Sequence, residues 1–404
     1  MPIGTLNEMG VDGKTVLLRL DLNSPIDPTS NLILDDKRFR EHIPTIQALK
    51  DSRVVIITHQ SRPGKKDFTT LNVHAEKLSQ MLGRSVLYID DIFGSSARDA
   101  VRNMRSGEVL MLENVRFNAE ENLVLKPEDA KKTILVRKLA SMGDVFVNDA
   151  FGTAHRSQPT VVGLPMAIKS AAGLLMEREV STLSRVFLGA PKPVCMVLGG
   201  TKVDDSVAVA RYVLESGIAD EVMVIGVVAN VFLIASGFDI GSPSTQLIHQ
   251  LKYDKEIGDA RDLLLRFRER IIIPEWVAVR EGNKRVEYPV NAIPRDVPVM
   301  DLGMDAISML SKRLKAAGTV VFNGPAGVFE EPDFATGTYE LLKAASSVDF
   351  SVVGGGHTAV VIEKLGLGKH FTHISTGGGA CIEFLTGKKL PAVQALELSK
   401  EIFG

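Results

Sequence analysis

Four glycine-rich stretches in the C-terminal half of the chain have the composition of phosphate-binding loops. Each follows a short apolar run, and they cover residues 199–202, 323–327, 354–358 and 376–379. Because glycine has no Cβ, the backbone N–H groups of such a loop can approach an anion, and the N-terminus of a following helix adds its positive dipole end. One such stretch alone is equally well explained by a tight turn. Four of them in one half of a chain predict a nucleotide site.

The N-terminal half carries polar and basic side chains where the C-terminal half carries glycines, directly after four apolar runs. They are Asp21, Asn23, His59, Arg62, Arg116, His155 and Arg156, and Arg38 lies at the start of the first helical stretch. In an open α/β sheet, ligands bind outside the carboxyl ends of the strands, so these side chains should share one face. Guanidinium groups bind phosphate and carboxylate through paired hydrogen bonds. The cluster therefore predicts a site for a small, highly charged acid.

Each of these residues also has an ordinary structural explanation. An arginine after a strand is usually a solvated loop charge, a lone histidine is more often hydrogen-bonded within the protein, and Asp149 could simply cap a turn. Four consecutive strand ends that each carry Arg or His argue against coincidence. No grouping of His, Cys and Asp in the sequence has structural-zinc spacing, and no Ser–His–Asp triad can be argued from it.

Short apolar runs alternate with amphipathic stretches from end to end, which predicts an α/β fold. The predicted strands are 15–20, 53–58, 85–89, 108–112, 144–147, 193–198, 221–227, 270–273, 319–322, 349–353 and 372–375. The predicted helices include 36–50, 72–82, 128–142, 204–216 and 303–317. Fully apolar strands separated by helices indicate parallel sheets covered on both faces. About eleven strands are too many for one compact sheet, so we expect two domains.

The expected boundary between these domains is a helix over residues 171–183 rather than a loose linker. This interpretation places one domain at residues 1–170 and a second at residues 171–390. A final helix within residues 391–404 follows the last glycine-rich loop. We expect that helix to pack back near the first domain.

The amino-acid composition indicates a soluble globular protein. The 404-residue chain has 45% hydrophobic residues, 24% charged residues and a net charge of −2, which fits a soluble globular protein without nucleic acid or an anionic membrane as partner. Its two cysteines, Cys195 and Cys381, lie in apolar runs and are expected to be buried thiols in a reducing compartment. No signal peptide opens the chain, and no apolar run reaches the roughly 18 residues of a membrane span. We therefore expect a cytoplasmic protein, as a monomer or a homodimer.

Read in order, the motifs resemble those of the phosphoglycerate kinase family. They are Asp21–Pro25, Arg38, His59–Pro63, Glu113–Phe117, Asp149–Arg156, Gly199–Val203, Asn323–Glu330 and the two triple-glycine loops. The motifs run in the family's order over essentially the whole chain, and their details look like the archaeal branch. The resemblance implies two Rossmann-like, doubly wound parallel-sheet domains joined by a helix, with a hinge and a cleft between them.

The resemblance also implies an activity: reversible phosphoryl transfer between ATP and 3-phosphoglycerate, giving ADP and 1,3-bisphosphoglycerate, as in glycolysis and gluconeogenesis. The implied phosphoglycerate site comprises Asp21, Asn23, Arg38, His59, Gln60, Ser61, Arg62, Arg116, His155 and Arg156. The implied MgATP site comprises Lys202, Asn323, Glu330, Gly354, Gly355, Gly356, His357 and Thr358, with Thr376, Gly377, Gly378 and Gly379 as a further anion loop. Arg38 and Lys202 would act in catalysis, Glu330 would bind the ribose, and in-line transfer would follow hinge closure.

Three positions depart from the family pattern. Ser206 stands where a lysine is common, His357 stands where an aspartate associated with the metal-bound nucleotide is common, and residues 274–276 match the usual strand exit poorly. A neutral imidazole is a poorer partner than a carboxylate for Mg²⁺ or its hydration shell. The sequence therefore leaves the metal ligand open.

Two alternative functions stay open. A two-domain kinase for another small carboxylic acid would keep the same arginine set. A catalytically weakened nucleotide-binding relative would be consistent with Ser206, although the intact Lys202 and the complete anion-binding face argue against it.

Overall fold

The structure, a computed structural model, describes residues 3–404. Its strands are β1 (Thr15–Arg19), β2 (Arg53–Ile57), β3 (Val86–Tyr88), β4 (Val109–Met111), β5 (Val145–Asn148), β6 (Ser170–Ala172), β7 (Val194–Leu198), β8 (Glu221–Val224), β9 (Ile271–Ile272), β10 (Trp276–Glu281), β11 (Lys284–Pro289), β12 (Val299–Leu302), β13 (Thr319–Asn323), β14 (Phe350–Gly354) and β15 (His373–Ile374).

The helices lie between these strands and at the ends of the chain. The α-helices are α1 (Leu6–Met9), α2 (Lys37–Ala48), α3 (Asn72–Leu82), α4 (Ser95–Arg102), α5 (Pro127–Ala130), α6 (Ile134–Ala140), α7 (Pro159–Val162), α8 (Leu164–Ala167), α9 (Leu174–Phe187), α10 (Val203–Glu215), α11 (Gly226–Ala235), α12 (Ser242–Gln250), α13 (Asp254–Phe267), α14 (Met304–Lys315), α15 (Thr336–Ala345), α16 (Gly356–Lys364), α17 (Gly379–Leu385) and α18 (Pro391–Phe403). Short 3₁₀ helices cover Val115–Phe117, Ala119–Asn122, Phe151–Thr153, Pro332–Phe334 and Gly368–His370. None of the helices within residues 3–404 is both long enough and apolar enough to cross a membrane.

The chain forms two compact units. The first unit contains the chain up to Ser181 together with Lys389–Gly404, and the second unit contains Thr182–Lys388. The division falls inside α9, later than the expected boundary at residue 170, because β6 pairs with β5 and so belongs to the first sheet. Helix α18 packs against β6, α7 and α8 of the first unit, and the N–H of Ala392 donates to the carbonyl of Ala154 at 3.0 Å.

The first unit is built on a six-stranded parallel sheet in the order β3-β4-β2-β1-β5-β6. Successive side chains of a strand point to opposite faces, and both faces of this sheet are covered. Val16 and Leu18 of β1 pack with Phe39 of α2 on one face, whereas Leu17 packs with Leu135 of α6 on the other. The fully apolar strands of the first half of the sequence reflect this burial on both sides.

The second unit repeats the plan with a six-stranded parallel sheet in the order β15-β14-β13-β7-β8-β9. Val320 and Phe322 of the central strand β13 share a buried cluster with Leu310 of α14 and Leu341 of α15. Neither Cys195 nor Cys381, both described by the structure, forms a disulfide, and both are buried. The prediction of buried thiols is therefore confirmed for these two residues.

A three-stranded antiparallel sheet, in the order β11-β10-β12, was not predicted and forms part of the second unit. Strands β10 and β11 make a hairpin with Trp276 opposite Pro289 and Glu281 opposite Lys284. Gly282 at its turn has a φ of 58°, which a residue without Cβ adopts without strain. Strand β10 ends in Arg280 and Glu281, and β11 is mainly polar, so neither is a continuous apolar run of the kind by which the other strands were predicted.

A second error of the sequence-based prediction concerns residues 171–183. Ala171 and Ala172 belong to β6, and helix α9 begins only at Leu174. The three residues of β6 are small and buried, so they carry no β-branched signal that would distinguish a strand from the start of a helix.

Candidate functional site

The side chains that the sequence grouped in the N-terminal half follow four strands that are neighbours in the first sheet. In the order β4-β2-β1-β5 these strands lie side by side and run parallel, so their carboxyl ends open on one edge. A cavity of about 580 Å³ lies there, lined by Asn23, Ser61, Arg62, Lys65, Asp67, Arg116, Asn122, Arg156 and Gln158. Five of the predicted phosphoglycerate-site residues thus line one cavity: Asn23, Ser61, Arg62, Arg116 and Arg156.

Arg116 is held in place by the backbone of neighbouring loops. It lies in the 3₁₀ helix Val115–Phe117, whose first turn is capped by the Asn114 side chain through a 3.2 Å bond from the Arg116 N–H. Its Nη1 donates to the carbonyl of Ser61. Burial, with the nearby charges of Arg156 and Arg19, lowers the pKa of Arg116 to about 10, so the guanidinium is charged at neutral pH. The arginine therefore presents a fixed cation to the cavity.

Beside this cavity, the buried carboxylate of Asp21 forms an ion pair with the partly exposed Arg38. Nη1 of Arg38 donates to Oδ2 of Asp21, and the other carboxylate oxygen accepts the Asn23 N–H at 3.3 Å. Burial alone would raise the pKa of Asp21, but the Arg38 charge, together with that of Arg19, outweighs this and holds the pKa well below its usual range. Gly152 is required next to the pair, since a Cβ there would overlap Asp21 Oδ2.

His59 is buried and held as a neutral imidazole. Nη2 of Arg19 lies 3.2 Å from His59 Nδ1, and because a guanidinium only donates, Nδ1 must accept. Burial, followed by the Arg19 charge, lowers the pKa of His59 well below 6.5. The ring proton therefore lies on Nε2, which is buried and has no hydrogen-bond partner within residues 3–404. This N–H is a donor that a ligand could use.

Five of the ten predicted residues are not among those that line the cavity: Asp21, Arg38, His59, Gln60 and His155. The Gln60 amide donates to the carbonyl of Ser24 at 3.0 Å, and its oxygen lies 3.1 Å from His74 Nε2, so both ends of the amide support the loop. Nε of Arg156 donates to His155 Nε2 at 3.4 Å. His155 thus contacts a cavity residue, whereas Gln60 lies one step further into the protein.

A buried ion pair that was not predicted from the sequence lies behind the cavity. Arg19 and Glu121 are 2% and 1% exposed and lie 3.9 Å apart. Thr160 joins them, since it accepts from Arg19 Nε at 3.1 Å and donates to Glu121 at 2.6 Å. The signal that could have found this ion pair was Arg19 itself, a charge at the end of an otherwise apolar strand.

In the second unit, the four glycine-rich loops also follow neighbouring strands, here in the order β15-β14-β13-β7. A cavity of about 260 Å³ adjoins them. Seven of its lining residues belong to the loops and site that the sequence predicted: Gly200, Thr201, Pro325, Ala326, Gly327, Glu330 and His357. Its other walls are mainly apolar and include Phe329 of the Asn323–Glu330 motif together with Val227, Leu247, Val299 and Met300, which the sequence did not single out. An apolar cavity with a few polar groups at its rim is the usual form of a small-ligand site.

Two of these loops touch through their backbones. The Gly199 N–H donates to the carbonyl of Asn323 at 2.7 Å, and the Gly200 N–H donates to that of Pro325 at 2.9 Å. Gly324 has a φ of 85°, and a Cβ on it would overlap the Gly199 carbonyl. Only glycine allows this approach, so the paired loops form one continuous wall of the cavity.

The loop that follows β14 leads directly into α16. Thr358 Oγ1 donates to the carbonyl of Gly354 at 2.8 Å, which closes the first turn. His357 is exposed, and its ring lies 5.8 Å from that of Phe329. The free N–H groups at the start of α16 make this loop suitable for an anion.

Lys202, Asn323 and the loop at 376–379, which were also predicted as nucleotide-site residues, are not among those that line the cavity. Lys202 is exposed and directly precedes α10. Asn323 ends β13, and its Oδ1 is buried without a partner in the described part of the chain. In the loop at 376–379, the Gly377 N–H donates to Ser375 Oγ at 3.1 Å, and helix α17 begins at Gly379.

Comparison with known proteins agrees with this arrangement. The family model of phosphoglycerate kinase matches residues 6–388. The chain belongs to the phosphoglycerate kinase family. A phosphoglycerate kinase of Methanocorpusculum labreanum is 63% identical over the whole length of both chains, and one of Methanothermus fervidus is 46% identical over 98% of this chain and 97% of its own.

Solved structures of phosphoglycerate kinases have the same fold. The enzyme of Pyrococcus horikoshii superposes with a TM-score of 0.92 at 42% identity, covering 99% of this chain and all of its own. That of Coxiella burnetii gives 0.83 at 32% identity over 98% of this chain and 99% of its own. The predicted family and the predicted pair of parallel-sheet α/β domains are confirmed, and the chain is a phosphotransferase.

Ser206, a departure from the phosphoglycerate kinase pattern, lies in the interior. It is 1% exposed in α10, and its hydroxyl has no hydrogen-bond partner within residues 3–404. A lysine ammonium could not be accommodated at such a place without a partner. Lys202, which directly precedes the same helix, is an exposed cation.

His357, the second departure, is not part of a metal cage. Among the residues that the structure describes, no group of three or more His, Cys, Asp or Glu side chains is placed to hold a metal ion. Mg²⁺ binds to proteins through one or two carboxylates together with substrate phosphates, and it keeps several waters. A metal ion held in this way needs no cage of three protein side chains.

Proposed function

We propose that the first unit binds 3-phosphoglycerate, that the second unit binds MgATP, and that the chain transfers the terminal phosphoryl group of ATP reversibly to the substrate carboxylate. The observation that carries the proposal is the cationic cavity of the first unit. Arg62, Arg116 and Arg156 line it together, which suits a ligand with both a phosphate and a carboxylate. ATP and ADP are the nucleotide pair of this family's reaction.

The first unit recognises the acid by charge and by hydrogen bonding. The three arginines bind its anionic groups, while the neutral His59 donates from Nε2 and Asn23 orients the ligand. Since His59 is neutral, it adds direction without adding charge. Arg38, fixed by Asp21, supplies a further cation beside the cavity.

The second unit holds the nucleotide by apolar contact and by backbone amides. The base and sugar occupy the cavity of about 260 Å³, where Glu330 offers a carboxylate to the ribose hydroxyls. The phosphates take the N–H groups at the start of α16, with Gly356, His357 and Thr358. The loop at 376–379 is a second anion-binding segment.

The chemistry requires positioning and charge neutralisation rather than a strong base. The substrate carboxylate is already ionised at pH 7 and can attack the phosphoryl group directly. Arg38 and Lys202 neutralise the charge on the transferring group. Mg²⁺, when bound with the nucleotide, supplies Lewis-acid stabilisation of the phosphate oxygens.

In-line transfer requires that the two ligands meet, and we retain the prediction that a hinge closes to bring this about. Holding both reactants in register can contribute roughly 7–11 kcal/mol to the lowering of the barrier. Closure would also exclude water and limit hydrolysis of ATP. Small-angle scattering should give a smaller radius of gyration with both ligands than with either alone, and an unchanged radius would count against closure. Cytoplasmic location and a monomeric or dimeric state stay predictions.

The proposed reaction is tested by a coupled assay. Purified protein with MgATP and 3-phosphoglycerate should form ADP and 1,3-bisphosphoglycerate, which an auxiliary enzyme reduces with NADH. Lys202→Ala should lose most of the turnover, whereas Lys312→Ala, an exposed lysine on α14, should keep it. Wild-type turnover no higher than that of Lys202→Ala would contradict the proposal.

A further inference from the structure

Asp21 is held twice by α2, once through its carboxylate and once through its backbone. Arg38 and His42 lie four residues apart on this helix and therefore on the same face. Arg38 pairs with the Asp21 carboxylate, and His42 Nε2 lies 3.2 Å from the Asp21 N–H. The helix thus determines both where Asp21 lies and how it is oriented.

These bonds also determine the tautomer of His42. The Asp21 N–H can only donate, so His42 Nε2 must accept and the ring proton must lie on Nδ1. Nδ1 lies 2.7 Å from Asp149 Oδ2, to which it donates. His42 is 2% exposed and Asp149 is fully buried. A buried carboxylate therefore fixes the ring state that Asp21 requires.

Asp149 is anchored in turn by the first turn of α9. Its Oδ1 accepts the N–H groups of Leu175 at 2.9 Å and Met176 at 3.3 Å. Thr45, also on α2, accepts the Leu174 N–H at 3.1 Å. The orphan N–H groups at the start of α9 are thus satisfied by side chains from elsewhere in the first unit, which leaves Asp149 little freedom to move.

We propose that His42 and Asp149 are positioning residues for phosphoglycerate binding, acting through the backbone of Asp21 and thereby on its ion pair with Arg38. This inference rests on the proposed function of the first unit. Neither residue lines the cationic cavity, and both lie one step behind it. The bond from His42 to Asp21 is the element that transmits their effect.

Three substitutions distinguish the effects of the two hydrogen bonds that His42 makes. His42→Asn keeps a donor towards Asp149 but loses the acceptor for the Asp21 N–H. His42→Gln reaches the Nε2 position with its amide oxygen, so it keeps the acceptor and loses the donor. Asp149→Asn keeps the oxygen that caps α9 but offers an N–H₂ group to His42 Nδ1, which forces the other tautomer and turns an N–H towards Asp21.

The measurements are the KM for 3-phosphoglycerate, the Kd for MgATP and the melting temperature of the full chain. His42→Asn and Asp149→Asn should raise the KM for 3-phosphoglycerate about tenfold, the value of one lost hydrogen bond that acts on a charged pair. His42→Gln should stay within about threefold of wild type. The Kd for MgATP should be unchanged in all three variants.

Thr45→Val is the matched control, because it removes a buried bond to α9 without contacting Asp21. It should lower the melting temperature and leave the KM for 3-phosphoglycerate unchanged. A positioning role is overturned if folded Asp149→Asn and His42→Asn have a wild-type KM, or if all four variants lose stability and activity in parallel. Should His42→Asn not fold, the nearly isosteric Asp149→Asn decides. Absence of turnover in wild type would instead overturn the proposed function, and this inference with it.

Discussion

Arg19 donates to Nδ1 of His59 at 3.2 Å in the interior of the first unit, and this bond sets the state in which His59 meets a ligand. An arginine cannot accept a proton from the ring, so the imidazole is neutral and its remaining N–H lies on Nε2. Burial and the Arg19 charge both disfavour imidazolium. In the proposed acid site, His59 thus keeps a neutral ring whose N–H lies on Nε2.

The first prediction concerns stability below neutral pH. Burial lowers the pKa of His74 to about 4, whereas an unfolded histidine titrates near 6.5. The unfolded chain therefore binds more protons between these values, so the contribution of His74 to stability is complete above about pH 6.5 and is lost as the pH falls towards 4. The lowered pKa of His59 acts in the same direction.

His74→Gln should make the free energy of unfolding less dependent on pH in this window, by up to about 1.4 kcal/mol per pH unit. Glutamine can still donate to the Gln60 oxygen, which His74 Nε2 contacts at 3.1 Å. Urea unfolding at pH 5, 6 and 7 measures the slope. Parallel curves for wild type and variant would show that His74 is not the titrating group.

Arg38→Ala should reduce kcat/KM for 3-phosphoglycerate at least about tenfold, because it removes a charged contact and leaves the Asp21 carboxylate buried without its partner. The Kd for MgATP, measured by calorimetry, should be unchanged. Arg40→Ala is the control on the same helix, since Arg40 pairs with Asp36 at the surface. A large loss of ATP binding in Arg38→Ala would contradict the assignment of separate ligands to the two units.

Glu330→Ala should raise the KM for ATP about tenfold, since it removes a carboxylate that can bind the ribose hydroxyls. The KM for 3-phosphoglycerate should not change. Its sequence neighbour offers a matched control, because Glu331 is not among the lining residues and pairs with Arg280. Equal effects of Glu330→Ala and Glu331→Ala on the KM for ATP would reject a specific ribose contact.

Ser206→Ala should leave the free energy of unfolding unchanged or slightly increased, because the buried hydroxyl that it removes has no partner within residues 3–404. Thr338→Val provides the contrast. Thr338 is fully buried and accepts the Ala326 N–H at 3.0 Å, so its replacement should cost about 1–3 kcal/mol. Denaturant unfolding compares the two, and a loss of that size in Ser206→Ala would reveal a bond that the structure does not contain.

Much of the fold follows from local sequence patterns because parallel strands buried on both faces are continuous apolar runs. Strands β1, β2, β7 and β13 were predicted within a residue or two for this reason. Strand β6 was missed because Ser170, Ala171 and Ala172 are equally compatible with a helix. Strands β10 to β12 were missed because each contains charged residues, such as Arg280, Glu287 and Asp301, and none is a continuous apolar run.

The candidate sites likewise contain residues that could be predicted from the sequence and contacts that could not. The loops that end neighbouring strands could be grouped from topology alone, and Asn23, Arg62, Arg116 and Arg156 do line one cavity. The supporting contacts could not be predicted, since His42 and Asp149 are 107 residues apart in sequence and neither has a motif that names its partner. From the sequence, Asp149 could be explained as the cap of the turn in which it lies. In the structure its carboxylate instead caps the N-terminus of helix α9.

Helix α18 gives the chain an unusual order of assembly during synthesis. It follows the whole second unit in sequence, yet it packs against β6, α7 and α8 of the first. The ribosome therefore delivers every residue of Thr182–Lys388 before it delivers the last piece of the unit that was begun first. Until α18 is made, the surface that it covers on the first unit stays exposed, so Thr182–Lys388 is the first unit whose residues are all available for folding.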